Sequence, residues 1–246
     1  MSLRAGFQTA ISAVYPPRCV GCGDMVDSSF GLCAACWVDT PFIGGTVCDQ
    51  CGLPLPGAVD DEEIAHCDDC IKVPRPWSKG RAALLYKDKA RALVLAFKHG
   101  DRHDIFRPAA IWLAHAARGL RLEPNTLVVP VPLHWARLAQ RRYNQAALLA
   151  QAFGRQTHLN VCPDVLLRPN RTKSLEGKTQ YQRFEILTDA ISIHPRRKHR
   201  IAGRPVLILD DVMTSGATLT AATRACLDAG ADHVNVLVLA RVEKGL

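Results

Sequence analysis

The stretch VLILDDVMTSGATL, residues 206–219, places two acidic side chains directly ahead of a loop of small and hydroxylated residues. The backbone N–H groups and hydroxyls of such a loop can surround one anion at the start of the next helix, where the helix dipole favours negative charge. The adjacent carboxylates of Asp210 and Asp211 would repel a bare phosphate, but they can accept hydrogen bonds from sugar hydroxyls. The pattern therefore predicts a site for a phosphorylated sugar.

A second chemical pattern comes from the cysteines, because eight of the ten form four C-x-x-C pairs before residue 71. Two such pairs present four thiolates to one metal ion in a tetrahedral site, so we predict two structural Zn²⁺ ions. The spacing favours sequential pairing, although a cross-braced pairing of the first pair with the third and the second with the fourth is also compatible with it. In the sequential arrangement the first cluster contains Cys19, Cys22, Cys33 and Cys36, and the second contains Cys48, Cys51, Cys67 and Cys70.

Four thiolates per site leave no open position for a catalytic water, which indicates structural metals. A module of about 60 residues with few large apolar side chains has little core, and a structural zinc contributes roughly 10–16 kcal/mol in small zinc fingers. Iron–sulfur ligation is the alternative metal chemistry, and His66 is an alternative ligand beside Cys67. The remaining cysteines, Cys162 and Cys226, are expected to be ordinary buried thiols.

Charge divides the chain of 246 residues into two parts. The first 76 residues contain 4 Lys and Arg against 10 Asp and Glu, a net of −6, whereas the remainder contains 27 against 13, a net of +14. The change near residues 73–77 predicts an N-terminal helix and double zinc ribbon over 1–76 and a second domain over 77–246. The acidic part is a poor candidate for nucleic-acid binding. Because the sequence lacks a recognisable secretory signal and any apolar run of roughly 18 residues, we expect a cytoplasmic protein without a membrane span.

Beyond residue 77, aliphatic runs alternate with helical spacing, which is typical of α/β layering. We predict strands over 81–86, 126–132, 191–193, 205–211 and 233–241, and helices over 88–98, 104–118, 135–154 and 217–229. The strands lack polar alternation, which indicates a parallel sheet with helices on both faces. Ligands of such sheets bind at the carboxyl ends of the strands, where we expect Asp210 and Asp211.

The stretch DDVMTSGAT resembles the phosphoribosyl pyrophosphate (PRPP) signature of type I phosphoribosyltransferases. The resemblance implies that Asp210 and Asp211 hold the ribose hydroxyls, that the following loop holds the 5′-phosphate, and that Mg²⁺ binds together with PRPP. It also implies a type I phosphoribosyltransferase-like parallel sheet, preceded here by the small double zinc ribbon. The implied phosphate-loop residues are Thr214, Ser215, Gly216, Ala217 and Thr218.

More of the chain resembles the ComF, or competence protein F, family, which implies a link to DNA uptake. The motifs that carry this resemblance are the C-x-x-C pairs, FKHG (97–100), VPVPLH (129–134), RRYNQA (141–146) and the PRPP stretch. Arg142 stands where the family has a glycine. A later family segment is matched at Thr172 and Arg183 and differs at Leu175, Lys178 and Ile186.

Basic side chains are expected to face the pyrophosphate of PRPP. They lie in the FKHG turn, after VPVPLH and in the loop 168–183, which we interpret as a flap over the site. The candidates are Lys98, Arg137, Arg141, Arg142 and Arg183.

LEGKT (175–179) ends like a Walker loop, but Thr172 replaces the glycine that this motif requires. The basic run RRKHR (196–200) is either a solvated loop or a contact for the phosphates of a nucleic acid.

These patterns lead to two functional hypotheses. In the first, the protein is a phosphoribosyltransferase that binds PRPP, or a related sugar phosphate, and transfers the phosphoribosyl group to a nitrogen nucleophile. In the second, it is a non-catalytic PRPP- or nucleotide-binding module in DNA uptake and transformation, with weak contacts to nucleic acid or to the competence machinery. The intact loop argues against a purely structural adaptor. No motif identifies the nucleophile site, so the sequence assigns no catalytic residue.

Overall fold

The computed structural model describes residues 16–27, 31–57, 64–99, 102–134, 138–139, 143–169 and 190–243. The strands of its main sheet are β1 (Gly80–Leu85), β2 (Leu127–Pro130), β3 (Asn160–Val161), β6 (Val206–Met213) and β7 (Val234–Arg241). All five are parallel and lie in the order β1-β7-β6-β2-β3, which confirms the predicted parallel sheet. A separate antiparallel pair consists of β4 (Leu166–Leu167) and β5 (Ser192–Ile193).

The described α-helices lie before, between and after these strands. They are α1 (Ala34–Val38), α2 (Asp68–Lys72), α3 (Asp88–His99), α4 (Phe106–Ala116), α5 (Gln145–Thr157) and α6 (Ala217–Asp228). Shorter 3₁₀ helices cover His103–Ile105, Ala117–Leu120 and Pro195–Arg200. Within the described ranges, no helix combines the length and the apolar character that a membrane crossing requires.

Strand β6 contributes to two hydrophobic cores because successive side chains of a strand point to opposite faces of the sheet. Leu207 and Leu209 pack in one core with apolar residues of α3, α4 and α5. Val206 and Ile208 pack in the other core with apolar residues of α6. The helices therefore cover both faces, as the unbroken aliphatic pattern predicts.

Three predicted elements differ from the structure. The strand predicted over 191–193 is β5, which lies outside the main sheet in the antiparallel pair. The helix predicted over 135–154 is interrupted, because α5 begins only at Gln145, after an extended Asn144. Residues 138–139 are helical, and residues 135–137 and 140–142 lie outside the described residues. The Asn144 side chain accepts hydrogen bonds from the N–H groups of Ala146 and Ala147 at 3.0 and 3.4 Å, and so caps the helix. Strand β6 continues to Met213, two residues beyond the predicted end, so the acidic pair is followed by two further residues of the strand.

The N-terminal module packs along the edge of β1 that β7 does not occupy. The N–H of Ile43 donates to the carbonyl of Ala83 at 2.9 Å, and the N–H of Leu85 donates to the carbonyl of Pro41 at 2.9 Å. Between them, Phe42 forms an antiparallel bridge with Leu84. This segment satisfies a sheet edge that would otherwise be available for pairing with another chain. The boundary between residues 76 and 77 stays a prediction.

Two glycines let the second cysteine knuckle approach the backbone of β1. Gly52 has a φ of +70°, and a Cβ at this position would lie 2.6 Å from the backbone nitrogen of Ala82. A Cβ on Gly80 would collide with the carbonyl oxygen of Gln50. The same junction is tied by Arg81, whose Nη2 lies 2.7 Å from Oδ1 of Asp49. The ribbon and the sheet are therefore in direct backbone contact.

We expect Gly52→Ala to lower the free energy of unfolding by about 2–4 kcal/mol, because a left-handed conformation is strained for alanine and the new methyl group meets backbone that cannot move aside. Urea unfolding, followed together with zinc content, measures the loss. Gly57→Ala is the matched control, because Gly57 has a φ of +90° but nothing within 4 Å of an added Cβ. Equal losses in the two variants would contradict close packing of the ribbon on β1.

Candidate sugar-phosphate site and cysteine clusters

The acidic pair lies near the carboxyl end of β6, where the register pairs Asp210 with Val238 of β7. Both carboxylates belong to half-buried residues. The N–H of Asp211 donates to Oδ1 of Asp210 at 2.8 Å, which orients the first carboxylate. The side chains thus lie at the edge of the sheet at which parallel α/β sheets bind their ligands.

The electrostatics of this pair depend on two nearby cations. Burial raises the pKa of Asp210 to about 7, and the negative charge of Asp211 adds to the rise, while Lys98 and Arg168 oppose it. The Nζ of Lys98, in the last turn of α3, lies 3.2 Å from Oδ2 of Asp211. Lys98 is therefore beside the acidic pair. Arg168 is a site residue that the sequence analysis did not single out, although it begins the loop interpreted as a flap.

The loop after β6 turns at Gly216, which has a φ of +80°, and leads directly into α6. Ser215 is buried, and its Oγ accepts a hydrogen bond from the N–H of Ala217 at 3.4 Å. Thr214 is exposed and Thr218 is half-buried, so both are accessible to a ligand. The N–H groups in the first turn of a helix have no acceptor within that helix. This loop can therefore offer amide and hydroxyl donors to one anion.

Two buried arginines from other parts of the chain donate hydrogen bonds to the backbone carbonyls of this loop. Nη1 of Arg75 donates to the carbonyl of Ser215 at 2.8 Å. Nη1 of Arg241, the last residue of β7, donates to the carbonyls of Thr214 at 2.8 Å and Met213 at 3.3 Å. Arg241 could have been identified from the sequence, because it ends an aliphatic strand on a charged residue, as Asp210 and Asp211 do in β6. No local signal marked Arg75.

Most of the predicted pyrophosphate ligands fall outside the described residues, namely Arg137, Arg141, Arg142 and Arg183. The basic run 196–200 lies in the 3₁₀ helix Pro195–Arg200, which precedes β6. It is therefore near the amino end of that strand, at the sheet edge opposite to Asp210. Within this run, Arg197 pairs with Asp164 at 2.7 Å.

The eight N-terminal cysteines form two groups whose sulfur atoms lie within 4.8 Å of one another. The groups follow sequential pairing, which excludes the cross-braced alternative, and neither contains His66. They are Cys19, Cys22, Cys33 and Cys36 in the first cluster and Cys48, Cys51, Cys67 and Cys70 in the second. The other two cysteines are buried, as expected, and burial raises the pKa of Cys226 to about 12.

The geometry of both clusters fits zinc. Zn–S bonds of about 2.3 Å place the sulfurs of a tetrahedral site roughly 3.8 Å apart. The sulfurs of Cys22 and Cys33 are 3.7 Å apart, and those of Cys51 and Cys67 are 3.6 Å apart. Backbone N–H groups donate to the sulfur of Cys19, which stabilises a thiolate. Four thiolates form a closed donor set, so the chemistry supplied by zinc here is structural.

We expect two Zn²⁺ per chain, because the two ligand sets share no residue. Cys70→Ser should retain only the zinc of the first cluster, and Cys22→Ser only the zinc of the second. Elemental analysis of each purified protein measures the stoichiometry. A single zinc in the wild type, or two in either variant, would contradict the assignment of four ligands to each ion.

The raised pKa of Asp210 predicts a pH-dependent cost to stability. The folded state keeps the proton up to about pH 7, whereas unfolded aspartate loses it near pH 3.9, so stability should fall as the pH rises through that window. Asp210→Asn removes the cost and should therefore raise the free energy of unfolding at pH 8 by about 1–4 kcal/mol, with no gain below pH 4. Urea unfolding across this pH range tests the prediction, and Asp228→Asn, at an exposed position, is the control for charge removal. The same gain at pH 4 and pH 8 would refute it.

Comparison with known families agrees with both parts of this architecture. Residues 10–71 match the model of the double zinc ribbon domain, and residues 146–246 match that of the phosphoribosyl transferase domain. Structural similarity is weaker, with a TM-score of 0.39 and 17% identity to an allosteric regulatory enzyme of purine biosynthesis over 59% of this chain and 30% of that chain.

Similar sequences extend over most of the chain. Competence protein F of Haemophilus influenzae is 29% identical over 229 residues, which cover 91% of this chain and 96% of the relative. DNA utilization protein YhgH of Escherichia coli K12 is 28% identical, with 86% and 91% covered. Competence protein ComFC of Bacillus subtilis is 26% identical, with 81% and 79% covered. The chain is therefore similar to competence protein F over most of its length, with a match to the double zinc ribbon domain ahead of a match to the phosphoribosyl transferase domain.

Proposed function

We propose that the chain is a cytoplasmic PRPP-binding protein that transfers the phosphoribosyl group to a nitrogen nucleophile and releases pyrophosphate. One observation carries the proposal. The acidic pair at the carboxyl edge of the sheet leads directly, through a glycine turn, into the first turn of α6. Carboxylates that can accept hydrogen bonds from sugar hydroxyls therefore lie beside N–H groups that can donate to a phosphate. This combination suits a sugar phosphate better than a free phosphate.

In this proposal the 5′-phosphate binds the N–H groups and hydroxyls of residues 214–218, where the dipole of α6 favours negative charge. The carboxylates of Asp210 and Asp211 accept hydrogen bonds from the ribose hydroxyls. These donors favour the charged form of Asp210, whose pKa is about 7 without ligand. The ligand thereby compensates part of the cost of burying two carboxylates together.

The pyrophosphate would lie on the side of the acidic pair that carries positive charge. Lys98 already lies beside Asp211, and Arg168 is close enough to Asp210 to influence its titration. Mg²⁺ bound with PRPP would neutralise part of the charge of the leaving group. The role of the chain is then to orient the ribose and to stabilise an oxocarbenium-like transition state electrostatically. We assign no residue as a general base.

A second candidate is a non-catalytic PRPP-binding module in DNA uptake. It is favoured by the names of the relatives, which are competence and DNA utilization proteins. Both candidates use the same binding site and differ only in whether pyrophosphate is released. Contacts with nucleic acid or with the competence machinery belong to this second candidate.

We expect wild-type protein to bind PRPP in the presence of Mg²⁺, and Asp210→Asn and Asp211→Asn to bind it more weakly. Loss of one charge-assisted hydrogen bond costs about 1.5–3 kcal/mol, or roughly 10- to 150-fold in Kd. Isothermal titration calorimetry measures the affinity. Because Asp210→Asn should also be more stable at pH 8, weaker binding by a more stable protein would exclude misfolding as the cause.

A screen of nitrogen nucleophiles for pyrophosphate release then separates the two candidates. Release that depends on one nucleophile and is reduced in Asp211→Asn supports the transferase. PRPP binding without release from any nucleophile favours the non-catalytic module. Unchanged PRPP affinity in both aspartate variants, or no binding by the wild type, would refute the assignment of the site itself.

A further inference from the structure

The phosphate loop, residues 214–218, is held by side chains that belong to its surroundings and not to the loop itself. Arg75 and Arg241 are only 6% and 1% exposed, and both donate to loop carbonyls. Gly216 packs directly against this support, because a Cβ there would lie 3.2 Å from Nη1 of Arg75 and 3.2 Å from Cη2 of Trp77. The conformation of the loop therefore depends on where these side chains are placed.

The placement of Arg75 depends in turn on the second cysteine cluster. Its guanidinium lies over the ring of Trp77, 5.7 Å from the ring centroid. The indole N–H of Trp77 donates to the carbonyl of Gln50 at 2.6 Å, and Gln50 lies between Cys48 and Cys51. Trp77 is buried in the same core as the four cysteines of this cluster. A continuous series of contacts thus runs from the cluster through Trp77 and Arg75 to Ser215.

Charge balance connects Arg241 to the same cluster. A buried guanidinium is costly unless negative charge lies nearby. Among the described residues, no carboxylate forms an ion pair with Arg241. Its guanidinium instead lies within electrostatic reach of Cys51 in the second cluster. Four thiolates with one Zn²⁺ carry two net negative charges, which can balance a buried arginine.

We propose that the second zinc centre is part of the PRPP site, with Arg75 and Arg241 as the positioning residues that transmit its structure to the phosphate loop. The proposal rests on the proposed PRPP-binding function and adds a requirement to it, because affinity should depend on zinc in the second cluster and not on zinc in the first. The first cluster contacts a different part of the fold. Arg102 donates to the carbonyl of Val20 there, at 3.1 Å, and the described hydrogen bonds of this cluster include none to residues 214–218.

The first test uses no ligand and follows hydrogen exchange of the backbone amides of residues 213–218 by mass spectrometry. Cys67→Ser with Cys70→Ser removes the second zinc, and Cys19→Ser with Cys22→Ser removes the first and is the matched control. We expect faster exchange of the loop amides in the first double variant only, with elemental analysis reporting the zinc that each retains. Equal loop protection in both double variants would overturn the proposal.

The second test keeps both zinc ions. Arg75→Ala should speed exchange of the loop amides and weaken PRPP binding by about tenfold, while zinc content stays at that of the wild type. Arg81→Ala is its control, because Arg81 ties Asp49 of the same ribbon to β1 without contacting the loop. Arg75→Lys should recover part of the affinity, since it keeps the charge but not the planar group over Trp77.

The two proposals fail in distinguishable ways. If wild-type protein does not bind PRPP, the proposed function fails, and the ligand-free exchange rates still decide whether the zinc centre orders the loop. If the wild type binds PRPP and Arg75→Ala matches it in both exchange and affinity, the function stands and the role of Arg75 is refuted. An equal loss of affinity in Arg75→Ala and Arg81→Ala would also refute it, because general loosening of the ribbon would then explain the effect.

Discussion

The structure depends on the position of β6 between β2 and β7, where both of its faces are buried. Val206 to Leu209 alternate between two hydrophobic cores, so this part of the strand has no place for a polar side chain. Asp210 is the first polar residue after the cores, and it is still half-buried. The pKa of about 7 follows from this position together with the adjacent charge of Asp211. The strand that builds the core therefore also sets the chemistry of the site.

The double ribbon covers the edge of the sheet at β1. Strand β1 is an edge strand, and the ribbon covers it by backbone pairing and by close approach at Gly52 and Gly80. The second cysteine cluster shares a hydrophobic core with Trp77, and Arg75, which lies over Trp77, reaches the phosphate loop together with Arg241. A module whose folding energy comes from zinc can therefore contribute to a site that contains none of its cysteines.

Several features were predictable because they have local physical signatures. The C-x-x-C pairs, the aliphatic strands and the acidic pair ahead of the glycine loop each depend on residues within a short segment. The interruption at Asn144 was not predicted, because helical spacing runs through residues 135–154 whereas the side chain of Asn144 caps a helix that begins at Gln145. A cap outweighs periodicity at a helix end because it satisfies N–H groups that the helix itself leaves without acceptors.

The sequence by itself determined the parallel α/β class, the two clusters' eight cysteines and the glycine loop that follows the acidic pair, because the periods of strands and helices and the spacing of the cysteine pairs depend on neighbouring residues. Only the tertiary structure decided which cysteine pairs combine, that Lys98 lies on Asp211, and that Arg75 supports Ser215 across 140 residues of chain. These contacts depend on the order of the strands and on the docking of the ribbon against β1. That arrangement arises from the burial of the faces of the sheet and of the ribbon, which depends on residues far apart in the sequence and cannot be predicted from one short segment.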